Sequence, residues 1–321
     1  MKLEDIKKIL IAGAGTMGHG MAQVFAMEGY DVSLFSRTRQ TLDRATALLK
    51  TSLATFVRGG LITADQIPGI MGHIQMTQSL EEGAKDADIA FETILETKDA
   101  KIDMFDKLDK LCPKRTILAS NTTALNIFDF VKTGRPDKVL IGHWYTPPQL
   151  IPLVDIVKGP ETSEESLMLM YNLVKKIGRT PLLMKKFSSG YVVPRMQIAT
   201  LREIFYLLDN DIVTPQALDD AAKTGLAIRM LVVGLVQRID FGGLDITSKS
   251  INNPYVTSTL TPHTYKPRIL EELVKAGHLG VKTGKGFYDY GGRSEAELCE
   301  ERDIKLMKVL KVFKEIEEGK F

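Results

Sequence analysis

The run Ile9-Leu10-Ile11-Ala12-Gly13-Ala14-Gly15-Thr16-Met17-Gly18 decides the fold. Four apolar residues make a short strand, and glycines spaced G-x-G-x-x-G lead directly into an apolar helical stretch, Met21 to Met27. Gly13 permits the tight turn, Gly15 lets the backbone approach a pyrophosphate, and Gly18 lets the helix pack close to the strand. The helix N-terminus offers free N–H groups and the positive end of its dipole to phosphate oxygens. The loop, with Thr16 and Met17 inside it, therefore reads as a dinucleotide cradle. The bland alternative is a structural strand-to-helix turn.

From residue 8 to about 187, short β-rich runs alternate with longer helical ones. The expected strands are Ile9 to Ala12, Val32 to Phe35, Ile74 to Thr77, Ile89 to Glu92, Thr116 to Ala119, Val139 to Gly142, Leu153 to Val157 and Pro181 to Met184. Strands separated by helices predict right-handed βαβ units and a mostly parallel sheet covered on both faces, with antiparallel pairing open for the later strands. Beyond Ser188-Ser189-Gly190 the period becomes helical, with Ile198, Leu201, Ile204, Phe205 and Leu208 on one stripe. The fold class is thus α/β, a Rossmann-type doubly wound sheet over 1–187, followed by an all-helical C-terminal domain over 188–321. The last segment, Ala296 to Lys320, carries Ile304, Met307, Leu310 and Phe313 as an amphipathic helix, expected to dock and complete a core; the alternative is a dedicated partner-binding arm.

The 321 residues carry 42 Lys plus Arg against 40 Asp plus Glu, a formal charge of +2 that gives no reason to expect nucleic acid or an anionic membrane as partner. Two cysteines, Cys112 and Cys299, lack the spacing of a disulfide framework or a zinc site, so no metal and a reducing compartment are expected. The acidic N-terminus and the short apolar run broken by Gly13 match neither a signal peptide nor a membrane span, which points to the cytoplasm.

At the end of the second strand, 23 residues after Gly13, stands Ser36-Arg37-Thr38-Arg39 rather than a carboxylate. Guanidiniums and hydroxyls receive a ribose 2′-phosphate that an acid would repel, so NADP is expected in preference to NAD. The alternative is that the arginines solvate a loop and either cofactor serves.

Ligands of open α/β sheets bind outside the carboxyl ends of the strands. Two consecutive strands run there into polar residues, Ser120-Asn121-Thr122-Thr123 and His143-Trp144-Tyr145-Thr146. Of the five histidines only His143 stands at such a place: His19 falls inside the first helix, and His73, His263 and His278 fall in connecting segments. Imidazole titrates near working pH and suits the proton that must leave or join an oxygen when hydride moves at its carbon. Twelve residues on, Asp155 is an ionisable side chain in an apolar run, and orienting the imidazole would give it a partner.

These residues, in this order, resemble the 3-hydroxyacyl-CoA dehydrogenases and their relatives acting on free hydroxy acids. The resemblance covers nearly the whole chain. It runs through Gly13 to Gly18, Phe91-Glu-Thr-Ile-Leu-Glu96 with Lys101, Ser120-Asn-Thr122, His143 with an acid twelve residues later, Ser189-Gly-Tyr-Val-Val, Gly243-Leu-Asp245 and Lys282-Thr-Gly-Lys-Gly-Phe-Tyr288. It implies a helical domain that forms a homodimer, Glu96, Lys101 and Lys282 near the nicotinamide half of the cofactor, and Ser120 hydrogen-bonded to a substrate oxygen. It also exposes departures. Asp155 replaces the usual Glu, Thr146 replaces an asparagine three residues after the histidine, and Pro194 replaces another. Of the pair that reaches CoA, the serine matches Ser52 while the lysine position falls on Gly59, beside Arg58. In Thr224-Gly-Leu-Ala-Ile-Arg229 the arginine is similar to that of relatives oxidising gulonate or carnitine, where it would hold a carboxylate; it could equally snorkel or pair with Asp240. The expected function is a dehydrogenase interconverting 3-hydroxyacyl and 3-oxoacyl groups. The alternatives are the same chemistry on a free hydroxy acid and a non-catalytic cofactor-binding protein.

Overall fold

In the computed structural model, which describes residues 1–258, 260–262 and 264–318, the chain divides into two compact units, Met1–Tyr191 and Val192–Phe321. The division falls a few residues beyond the expected 187/188 boundary. Residues 188–191 fold back on the first unit, where the Tyr191 N–H donates to Ser188 O at 2.9 Å and its ring is buried in the core. His263 and Lys320, both read above from sequence, lie outside the described residues.

In the first unit the order of elements is β1 Lys8–Ala12, α1 Gly18–Met27, β2 Asp31–Phe35, α2 Arg39–Arg58, α3 Gln66–Gly72, β3 Ile74–Thr77, α4 Leu80–Ala84, β4 Ile89–Glu92, α5 Lys98–Leu111, β5 Ile117–Ser120, β6 Val139–Trp144, β7 Leu153–Lys158, α6 Glu164–Lys176 and β8 Thr180–Met184. They form one eight-stranded sheet in the order β3-β2-β1-β4-β5-β6-β7-β8. All neighbours pair parallel except β6 and β7, which are antiparallel. Sheet order reverses between β2-β1 and β4, the switch point at which ligands of such sheets bind.

The pleat explains why β1 is apolar throughout. Ile9 and Ile11 enter one core cluster, with α1, α2 and α6, while Leu10 and Ala12 enter the other, with α5. Each such fully buried Leu or Ile contributes about 1.5–3 kcal/mol. Cys112 belongs to the second cluster, and burial pushes its thiol up to about 12, so it acts as an apolar filler. Helices begin where side chains satisfy the first N–H groups: Thr38 caps α2, Ser79 caps α4 and Ser163 caps α6.

The second unit is helical: α7 Val193–Asp209, α8 Pro215–Ala221, α9 Ile228–Val233, α10 Val236–Gly242, α11 Leu244–Ile251, α12 Pro254–Thr257, α13 Arg268–Lys275 and α14 Glu295–Glu317. A wide turn of i→i+5 type, Ala222–Ala227, joins α8 to α9. Asp209 at the end of α7 accepts the N–H groups of Arg268 and Ile269 and the Tyr265 hydroxyl, tying α13 to α7. Ser294 and Glu297 form a capping box that starts α14, and Met307 is its buried anchor. Among the described residues no helix is long and apolar enough to cross a membrane, and no group of metal-ligating side chains assembles.

Candidate active site

The glycine loop, residues 13–18, leaves β1 at the switch point. Gly13 has φ +130°, and a Cβ there would lie 2.6 Å from Thr93 O. A Cβ on Gly18 would lie 1.8 Å from Gly13 O, so only glycine allows α1 to start against the strand. At Gly15 a Cβ would meet nothing within 4 Å: that backbone faces open space in front of the helix N-terminus. These residues fit the pyrophosphate of a dinucleotide, which needs close backbone approach and a positive dipole end. Ser36 and the exposed Arg37 follow β2, whereas Arg39 is paired with Asp43 at 2.9 Å.

His143 lies opposite Asp155 in the antiparallel β6–β7 register. The expected strand ended at Gly142, but pairing continues to Trp144 against Val154, so His143 belongs to the strand rather than following it. Its Nδ1 is 3.1 Å from Asp155 Oδ2, and the shorter acid reaches because the two strands pair directly. Asp155 is fully buried. The same Oδ2 accepts the Tyr145 hydroxyl at 2.7 Å. The imidazole stands between two phenol rings, Tyr145 with centroids 4.8 Å apart and Tyr191 at 4.7 Å. Tyr191 donates to Thr122 O at 2.6 Å. Burial, then the Glu96 and Asp155 carboxylates, push its phenol up, so it stays a neutral donor. Thr146 is exposed with its hydroxyl 3.1 Å from Met17 Sδ, beside the glycine loop.

Beside this pair lies a buried ionic group. Lys101 Nζ donates to both oxygens of Glu92 at 2.9 Å and lies 3.1 Å from Glu96 Oε2. Ser120 donates to Glu92 Oε2 at 2.6 Å, and Ile94 N donates to Oε1 at 2.9 Å. Glu96 takes the Thr122 hydroxyl at 2.5 Å and the N–H groups of Thr123 and Ala124 at 2.9 and 3.0 Å, which fixes the loop after β5. Burial would raise its carboxyl, but those bonds and Lys101 outweigh it and hold Glu96 at about 2. Asn121 completes the frame by accepting the Trp144 N–H at 2.7 Å.

Ser120 is fully buried and its hydroxyl donates to Glu92 Oε2. Lys101 is 1% exposed and lies between the carboxylates of Glu92 and Glu96. Ser52 is half-buried in α2, which Gly59 terminates. Arg229 and Lys282 belong to the second unit. There Arg229 donates back to Gly225 O, and Lys282 is exposed in the turn Val281–Thr283. Pro194 stands in the first turn of α7, where no amide donor is required. Glu92, Tyr145 and Tyr191 took no role in the sequence reading. Tyr145 was findable as a phenol two residues after His143, in the polar segment that follows the strand.

A family model described as "3-hydroxyacyl-CoA dehydrogenase, NAD binding domain" matches residues 8–187, and one described as "3-hydroxyacyl-CoA dehydrogenase, C-terminal domain" matches residues 190–290. The "Probable 3-hydroxybutyryl-CoA dehydrogenase" of Bacillus subtilis is 37% identical over 288 residues, covering 89% of this chain and 98% of the relative. The 5-formyl-3-hydroxy-2-methylpyridine 4-carboxylate 5-dehydrogenase of Mesorhizobium japonicum is 29% identical over 308 residues, 96% of this chain and 98% of the relative. A crystal structure of an enzyme of that name, described as an NAD+ dependent dismutase, matches with a TM-score of 0.85 and 26% identity over 96% of this chain and 99% of its own. The glycine loop, the sheet order and these matches along the chain place it in the 3-hydroxyacyl-CoA dehydrogenase family, nicotinamide-dependent dehydrogenases that act on a CH–OH group.

Proposed function

We propose that the protein interconverts a 3-hydroxyacyl and a 3-oxoacyl thioester, with NADP preferred over NAD. The observation that carries the chemistry is the buried His143–Asp155 contact of 3.1 Å at the carboxyl edge of the sheet. With Nδ1 turned to Asp155, the imidazole keeps Nε2 for the substrate hydroxyl and takes its proton in oxidation; the imidazolium returns it in reduction. Asp155 selects the tautomer and stabilises the charged ring. A bound nicotinamide supplies the hydride acceptor or donor, and the glycine loop with Ser36 and Arg37 would hold its dinucleotide. Thr146 is assigned to orienting the substrate oxygen, and Ser52 to the CoA side. Turnover of acetoacetyl-CoA, followed by nicotinamide absorbance with NADPH and NADH in parallel, tests this. Saturation at low substrate concentration is expected. In addition, His143→Ala should lower kcat by about 10²–10⁴-fold with cofactor affinity retained. Near-normal turnover of that variant would remove His143 from the mechanism, and equal or tighter NADH binding would remove the NADP preference.

A second reading is a dehydrogenase for a free hydroxy acid, with Arg229 on the carboxylate. Its support is the relative acting on a pyridine carboxylate, which spans 96% of this chain against 89% for the Bacillus one. Arg229 is exposed, so its guanidinium can rotate from Gly225 O to a ligand. Turnover of free acids but not thioesters selects this reading. Tight NADPH binding without turnover of either set selects a non-catalytic role.

We assign the second unit to homodimerisation. Val236, Phe241, Leu244, Ile251 and Tyr255 on α10–α12 are 65–90% exposed, an apolar surface that a partner subunit would cover. Sedimentation at micromolar concentration should give twice the 35.7 kDa chain mass. The small-molecule substrate and free thiols fit a cytoplasmic enzyme.

A further inference from the structure

Asp155 is fully buried, yet both described donors to its carboxylate converge on one oxygen. His143 Nδ1 is 3.1 Å from Oδ2 and the Tyr145 hydroxyl 2.7 Å from it, while Oδ1 is buried without a hydrogen bond. Tyr145 stands just past the end of β6, two residues beyond His143, and its ring packs edge-on against the imidazole. The phenol is half-buried and its shorter contact is the tighter hold on the carboxylate. An Asp has one rotatable bond fewer than a Glu but also less reach. Its carboxylate must therefore be held at one orientation for Nδ1 to meet it. We propose that Tyr145 is a positioning residue whose O–H fixes Asp155 and, through it, the tautomer and orientation of His143. The proposal rests on the reading of His143 as the proton carrier.

The electrostatic consequence has a definite sign. A donor to Oδ2 disperses the carboxylate charge, so Asp155 stabilises the imidazolium less than an undonated carboxylate would. The titratable groups facing the ring are Asp155 from β7, Tyr145 on its own segment and Tyr191 from the segment before α7; Glu96 acts on Tyr191 from the far side of Thr122. Removing the Tyr145 hydroxyl should raise the pKa of His143 while loosening its orientation.

The test is Tyr145→Phe in the full chain, with the His143 pKa read by NMR of ¹³C-labelled histidine. The resonance is assigned with His143→Gln, and the readout needs no substrate. The expected result is an upward shift of about 0.5–1 pH unit and a kcat lower by roughly 3–30-fold, with KM for the cofactor unchanged. An unmoved His143 pKa overturns the proposal, whether kcat is unchanged or falls together with Tm, as for a mere packing residue. Should Tyr145→Phe fail to fold, 3-fluorotyrosine at position 145, a stronger donor, must move the pKa down; no movement again overturns it. The underlying reading fails separately, by near-normal turnover of His143→Ala.

Discussion

Lys101→Met removes the only ammonium in contact with Glu92 and Glu96 among the described residues while keeping an unbranched apolar stem. Glu92 is fully buried, and unpairing a buried charge costs about 3–5 kcal/mol. Glu92 keeps the Ser120 hydroxyl and the Ile94 N–H, which places the loss near the lower end. Glu96, with a side chain 39% exposed, retains water and its loop donors and adds little. A loss of about 3 kcal/mol in a unit of this size lowers Tm by roughly 6–12 °C. Lys101→Met combined with Glu92→Gln should regain most of the loss, since the buried charge is gone. Calorimetry of wild type, single and double variants measures both effects. A loss below about 1 kcal/mol, or one as large in the double variant as in the single, would refute the account of Lys101 as the counter-charge of a buried carboxylate.

Glu96 is held at about 2 against an ordinary 4.5, so the stability it contributes is complete above its unfolded pKa and is lost as pH falls toward 2; Glu96→Gln should flatten the stability–pH curve between about pH 5 and 2, and an unchanged curve contradicts the assignment. Gly15→Ala meets open space and should leave Tm nearly unchanged while weakening NAD(P)H at least about tenfold, whereas Gly18→Ala, with its Cβ 1.8 Å from Gly13 O, should lower Tm or prevent folding. Equal behaviour of the two variants in melting and cofactor titration would contradict the division of roles. Ser36→Asp should reverse the cofactor preference by repelling a 2′-phosphate, read as the ratio of NADPH to NADH dissociation constants; an unaltered ratio shows that the ribose phosphate does not lie there.

What the sequence determined was everything that depends on neighbours along the chain. The period of apolar residues identified all eight strands of the sheet, and the glycine spacing marked the cofactor loop, because backbone sterics and side-chain alternation act over a few residues. The ordered motifs named the family and singled out His143 and Asp155. Tertiary structure decided which polar groups spend their hydrogen bonds on one another. Ser120 stands at a strand end, as the sequence reading required, yet parallel pairing of β4 with β5 puts it opposite Glu92, and the hydroxyl turns to that carboxylate. Lys101 is separated by nine residues from Glu92, and only the return of α5 across the end of β4 buries its charge. Strand β6 ran two residues further than its composition suggested because β7 pairs with it out to Trp144. That same pairing brings His143 and Tyr145 to one oxygen of Asp155. Such convergence is set by register between strands, a long-range quantity that no local pattern encodes.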